Sequence, residues 1–186
     1  MNKIITALCC VLLLMFSSCR RIHNYNCLRK LSGQEITIPA SIDYYEGSNP
    51  FYANSDSAKA TVFFWVDNTE CSTCRLTNMN PFYKVFNFCR DSVENVNVMV
   101  LFTPSQEKKD DFMDVALYRE RDLPIYVDED NVFYEENRFI PEDVRYHAFL
   151  LNDKNQIVLV GDPLAGTAIW NLYRDVLFSM SGDKSE

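Results

Sequence analysis

The sequence predicts an α/β fold in three layers, a mixed central sheet flanked by helices. Three observations predict it. Two apolar runs, TVFFWV at 61–66 and VNVMVLF at 96–102, carry hydrophobic residues at successive positions, as strands covered by helices on both faces do. Segments with apolar residues at helical spacing follow each of them. Late in the chain, two further apolar runs flank the polar turn Asp153-Lys154-Asn155, the pattern of a hairpin.

In order, Gln34–Ile38 alternates as a short strand that Pro39 ends, and Asp43–Ser57 has the composition of a loop. The strand 61–66 stops at a polar turn, and a helix opens near Cys71. Pro81 interrupts that helix, so two bent halves are expected, 72–79 and 81–90. Phe82, Val85, Phe86 and Cys89 share its inner face, which makes Cys89 a small buried hydrophobe rather than a third redox partner. Strand 96–102 leads through Thr103-Pro104-Ser105 to a helix over 106–120, with Phe112, Val115 and Ala116 inward. A small β–α pair follows, 123–127 and 131–138. Arg145–Asn152 reads as a third long strand, with Gln156–Val160 as its hairpin partner. Thr167–Met180 closes the chain as an amphipathic helix with Ile169, Leu172, Val176 and Leu177 inward.

Residues 1–18 read as a leader. Met1-Asn2-Lys3 is a short positive region, Ile4–Phe16 is apolar but too short for a stable bilayer span, and Ser17-Ser18-Cys19 follows. This resembles a bacterial lipoprotein signal, which implies that Cys19 becomes the lipidated first residue of the mature chain. A plain secretory signal and an uncleaved anchor are the other readings. The division expected is 1–18 signal, 19–32 a polar and basic tether, and 33–186 a single domain. The net charge of −8 becomes −9 without Lys3, which argues against nucleic acid and against a polybasic membrane-binding face.

Seven cysteines remain to be sorted. Cys9 and Cys10 lie in the leader, and Cys27 in the tether reads either as a partly exposed or packed thiol with no role or as a paired one. Cys71-Ser72-Thr73-Cys74 stands directly after a strand and at a helix start. There the helix dipole and unpaired N–H groups favour a thiolate on Cys71, and Cys74 lies one turn on, within reach of a disulfide. With only His23 and His147 as histidines, a zinc site within one chain is disfavoured, and a thiolate site shared with a second subunit is remote. No metal and no cofactor are expected.

The strand-plus-motif VFFWVDNTECSTC, the strand–helix–strand spacing after it and the hairpin FLLNDKNQIVLV together resemble the thioredoxin-like fold, in particular exported lipoprotein thiol–disulfide oxidoreductases. The likeness covers roughly 34–181, and the piece at 123–138 is similar to an insertion common in that subgroup. It implies that Cys71 attacks a partner's disulfide and that Cys74, expected to be buried, resolves the mixed disulfide. The implied partners are exported proteins with cysteines and a separate redox partner. The implied place is the periplasm-facing bacterial envelope, the outer membrane included, through a lipid anchor.

Three positions depart from that family. Glu70 stands where an aromatic is usual, either opposing the Cys71 thiolate or serving as a favourable charge at a helix start. The acid or amide of the central strand falls on Trp65, leaving Asp67 and Glu70 as substitutes or as solvated turn residues. The family's cis-proline position falls on Tyr146, with one residue of error either way, which leaves Arg145 or His147 free to approach Cys71, or His147 as a satisfied packing residue on the strand. The rival function is a binding or assembly lipoprotein on the same fold, with a static Cys71–Cys74 disulfide.

Overall fold

The computed structural model describes residues 24–45, 58–118 and 123–181. The leader, Cys19 and most of the loop at 46–57 lie outside the described residues, so the expectations placed on them stand where the sequence left them.

Among the described residues the chain runs α1 (24–31), β1 (Asp43–Tyr45), β2 (Ala60–Val66), α2 (Ser72–Thr77), α3 (Asn80–Ser92) and β3 (Val96–Phe102). A 3-10 turn at Gln106–Lys108 leads into α4 (Lys109–Tyr118), then β4 (Ile125–Val127) and α5 (Val132–Glu136). A second 3-10 turn, Val144–Tyr146, precedes β5 (Ala148–Asn152), β6 (Ile157–Val160) and α6 (Thr167–Ser181). The strands form one sheet in the order β1-β4-β3-β2-β5-β6. β2, β3 and β4 are parallel, and β1, β5 and β6 run antiparallel to their neighbours. A parallel core completed by an antiparallel hairpin, with helices on both faces, is the thioredoxin-like, three-layer α/β arrangement the sequence predicted.

β2 is central and explains its own composition. Val62, Phe64 and Val66 face one core with Phe82, Val85 and Phe86 of α3, Phe112 of α4 and Tyr173 and Leu177 of α6. Phe63 and Trp65 face the other, with Leu31 of α1, Phe133 of α5 and Phe149 of β5. A strand buried on both sides leaves no position for a solvated polar residue.

Four expectations are corrected. Gln34–Ile38 is not a strand. It makes a single bridge, Glu35 to Gln156, because the hydrogen bonds to the edge of β6 stop at Ile36 and the Asn137 side chain takes both the N–H and the carbonyl of Thr37. Asp43–Tyr45, expected as loop, is a strand, since β4 offers it an antiparallel edge from Ile125 to Val127. The third long strand begins at Ala148 rather than Arg145, because the Asp143 carboxylate accepts the Arg145 N–H and winds 144–146 into a 3-10 turn. Leu172 is 48% exposed rather than inward, and Tyr173 takes the core position, its hydroxyl donating to the Gly161 carbonyl.

The kink at Pro81 falls as expected. Proline stands in the first turn of α3, where its missing N–H has no helical partner to lose.

Candidate functional site

β2 ends at Val66, and the chain turns through Asp67–Glu70 before α2. Asp67 makes this turn. Its Oδ1 accepts the Thr69 N–H at 3.0 Å, the Thr69 hydroxyl at 2.7 Å and the Glu70 N–H at 3.3 Å. The expectation of a solvated turn residue is therefore overturned for Asp67, which is buried beneath the turn it holds.

The turn delivers Cys71 to the N-cap of α2, where its Sγ accepts the Cys74 N–H at 3.3 Å. Cys71 and Cys74 are joined as a disulfide. Both are exposed, so the buried resolving cysteine expected from the sequence is not found. Ser72 is the residue of the motif that turns inward, its hydroxyl enclosed without a hydrogen-bond partner. The helix phase accounts for this: Ser72 and Leu76, four apart, share the buried side of α2, which leaves Cys71 and Cys74 on other sides.

Glu70 and Arg75 bracket the motif and face each other at 3.8 Å. Partial burial pushes the Glu70 carboxyl above its ordinary range. Arg75 opposes that shift, while Asp67 and Asp162 reinforce it. The Arg75 guanidinium also lies over the Phe82 ring, 4.9 Å from its centroid. Arg75 was not singled out by sequence reasoning, although an acid and a base flanking a Cys-x-x-Cys are visible in the chain itself.

Behind the turn lies His147, in the connection between the 3-10 turn and β5. Its carbonyl accepts the Trp65 N–H at 2.8 Å, so His147, one residue from the expected Tyr146, takes the place facing the central strand. Its ring lies 4.2 Å from that of Trp65. Nε2 donates to the Pro141 carbonyl at 2.8 Å, since a carbonyl only accepts. Nδ1 has no hydrogen-bond partner and lies 3.7 Å from Asp67 Oδ2. Burial pushes the imidazole pKa below its ordinary value, against the Pro141 carbonyl and the Asp67 and Asp143 carboxylates. His147 is thus a buried neutral group, not a free cation beside Cys71.

Nor is Arg145 free. Its Nε lies 2.9 Å from Asp143 Oδ1, and its guanidinium holds the Asp143 carboxyl down at about 2. Tyr146 turns into the core on the far face of the sheet and donates its hydroxyl to Asn24 Oδ1 at 3.1 Å. Among the described residues there is no cis peptide bond.

A groove of about 430 Å³ opens beside the disulfide turn, lined by Glu70 and Arg75, by the ends of β2 and β5, and by Gly161, Asp162 and Ile169. Gly161 has φ +117, a conformation that favours glycine, and a Cβ there would meet Ile169 Cδ1 at 2.9 Å. Among the described residues no group of three or more His, Cys, Asp or Glu could hold a metal ion, and no helix is long and apolar enough to cross a membrane.

No protein-family model and no curated protein matches the chain. Solved structures with a similar course exist. The pneumococcal exposed lipoprotein thioredoxin Etrx1 of Streptococcus pneumoniae shares 13% identity over 64% of this chain and 84% of its own, with a TM-score of 0.42. The thioredoxin domain of a Bacteroides vulgatus thiol-disulfide oxidoreductase shares 16% over 79% and 99%, with a TM-score of 0.41. A putative electron transfer protein of Aquifex aeolicus shares 11% over 77% and 96%, with a TM-score of 0.44. At this level of similarity they bear on neither activity nor partners.

Proposed function

We propose that this chain is an envelope-located thiol–disulfide exchange protein that acts on exported proteins through Cys71 and Cys74. The observation that carries the reading is the exposed disulfide at the N-cap of α2. Opening it gives a Cys71 sulfur that already accepts a backbone N–H, from Cys74, and a charged acceptor strengthens such a bond. In the reducing direction the Cys71 thiolate attacks one sulfur of the partner disulfide and releases the other as thiolate. Cys74 then loses its proton and attacks Cys71, the Cys71–Cys74 bond forms, and the partner leaves with both sulfurs reduced. The reverse sequence oxidises the partner. Lipidation at Cys19 and a periplasm-facing position complete the proposal and rest on the leader sequence.

A second reading is favoured by the acid around the motif. Asp67 and Asp162 each act on the Glu70 carboxyl, and acid at this place opposes a thiolate and suits a static disulfide in a binding or assembly lipoprotein.

The reduction potential separates the two. Exchange predicts a value in the oxidoreductase range, about −120 to −270 mV, and a value below about −300 mV overturns it. Cys74→Ala in cells is expected to collect mixed disulfides on Cys71, and the proteins caught identify the partners. Because Cys74 is exposed, Cys71→Ala is an informative counterpart: exchange led by Cys71 predicts far fewer adducts from it. For the anchor, Cys19→Ser is expected to release the chain from the membrane fraction.

A further inference from the structure

The segment leading into the domain has a charge unlike the rest of the chain. Arg20, Arg21, Arg29 and Lys30 are its charged residues, and the first carboxylate in the sequence is Glu35. The helix α1 that carries part of this charge is two-sided. Asn24, Cys27 and Leu31 lie on its inner side, with Leu31 fully buried and Cys27 packed against the core. Tyr25, Leu28 and Arg29, at i, i+3 and i+4, share another side, and Tyr25 is 65% exposed and Leu28 40%. A tyrosine and a leucine thus stand in water beside two cations. They suit the boundary of a bilayer, where an aromatic with a polar tip and a snorkelling arginine are both favoured.

Chain geometry places such a boundary nearby. The apolar run Ile4–Phe16 ends eight residues before Asn24, a span of about 29 Å at most when extended. Were Cys19 lipidated, the reach would be shorter still. A basic segment beside an anchor adds attraction to an anionic lipid surface.

We propose that the outer side of α1, Tyr25, Leu28, Arg29 and Lys30, docks on an anionic lipid surface. The helix is tied to the site by the hydrogen bond from Tyr146, whose neighbours Arg145 and His147 line the groove beside the disulfide. Docking therefore holds the dithiol groove at a fixed distance from the membrane, and selects partners whose cysteines lie close to it. This deepens the reading of an anchored exchange protein but needs only the basic, amphipathic helix.

The test is the full chain purified from membranes and reconstituted in brominated phosphatidylcholine vesicles, with and without phosphatidylglycerol. Tyr25→Trp is compared with wild type, which supplies the background of Trp65 and Trp170. Docking predicts extra quenching by Trp at 25 in the anionic vesicles, absent in pure phosphatidylcholine and lost when Arg29→Glu and Lys30→Glu are added. Cys19→Ser added to anionic vesicles is expected to partition at least about tenfold less tightly with those two reversals than without, at roughly fivefold per surface charge. If the chain floats with vesicles and no extra quenching is seen, docking is overturned and the anchor stands. If the chain floats on anionic vesicles alone, with the extra quenching, docking stands and lipid anchoring falls. A chain that floats with neither vesicle overturns both.

Discussion

Two regions at the C-terminal end of β2 differ in nearly every physical respect. Cys71 and Cys74 are exposed, on a six-residue helix, with charged residues on either side. Asp67 and His147 are buried, gathered from β2's end and β5's start, and hold the turn and the strand junction. The reactive atoms sit where a partner can reach them, while the groups that shape the turn sit where water does not. Reactivity and stability should therefore separate by mutation. Cys71→Ser is expected to abolish exchange with a protein disulfide while costing little stability against reduced wild type, which lacks the same cross-link. An insulin-type turbidity assay beside urea unfolding checks both halves. Residual exchange at more than a trace would break the comparison at its strongest point.

Asp67→Ala is the mirror case. It strands the Thr69 N–H, the Thr69 hydroxyl and the Glu70 N–H, and is expected to cost roughly 1–3 kcal/mol in urea unfolding while both sulfurs still react. Equal losses of stability and exchange from both variants would show that turn and dithiol act as one unit.

The same division explains what could be read from the chain. Val96–Phe102 was legible from end to end because every position but Asn97 is apolar and nothing local competes. The start of β5 was not: Asp143 captures the Arg145 N–H, a local bond that a strand pattern does not reveal. Asp43–Tyr45 has a strand's conformation only because β4 lies beside it, a fact of tertiary placement. In the site, Cys71 and Cys74 announce themselves by spacing. Their equal exposure depends on the phase of α2, which Ser72 and Leu76 set by burying together. Asp67 and His147 are 80 residues apart in number, and the β2–β5 register that joins them is absent from any window of sequence.

His147 sharpens the comparison through pH. Its folded pKa lies below the ordinary value because burial disfavours the cation, so on acidification the unfolded chain takes up the proton first. Stability is expected to fall as pH drops through about 6.5, the ordinary imidazole value, until the folded pKa is reached. His147→Gln, which keeps a donor for the Pro141 carbonyl, is expected to flatten that part of the urea midpoint profile. An unchanged slope would mean that another group titrates there.

The smallest effect concerns Glu70, the carboxylate at the edge of the exposed region. Removing its charge relieves the opposition to a Cys71 thiolate and leaves Arg75 unopposed beside the motif. The reduced form gains, so Glu70→Gln is expected to move the reduction potential to less negative values by roughly 10–30 mV, in the range of a partly screened single charge. The sign has a pH signature. Burial raises the Glu70 carboxyl above 4.5, so wild type itself loses that charge as pH falls through the raised value. The two potentials should therefore differ at neutral pH and converge on acidification. A constant difference across that range would assign the effect to altered packing of the turn, and would place Glu70 with Asp67 among the groups that shape the site.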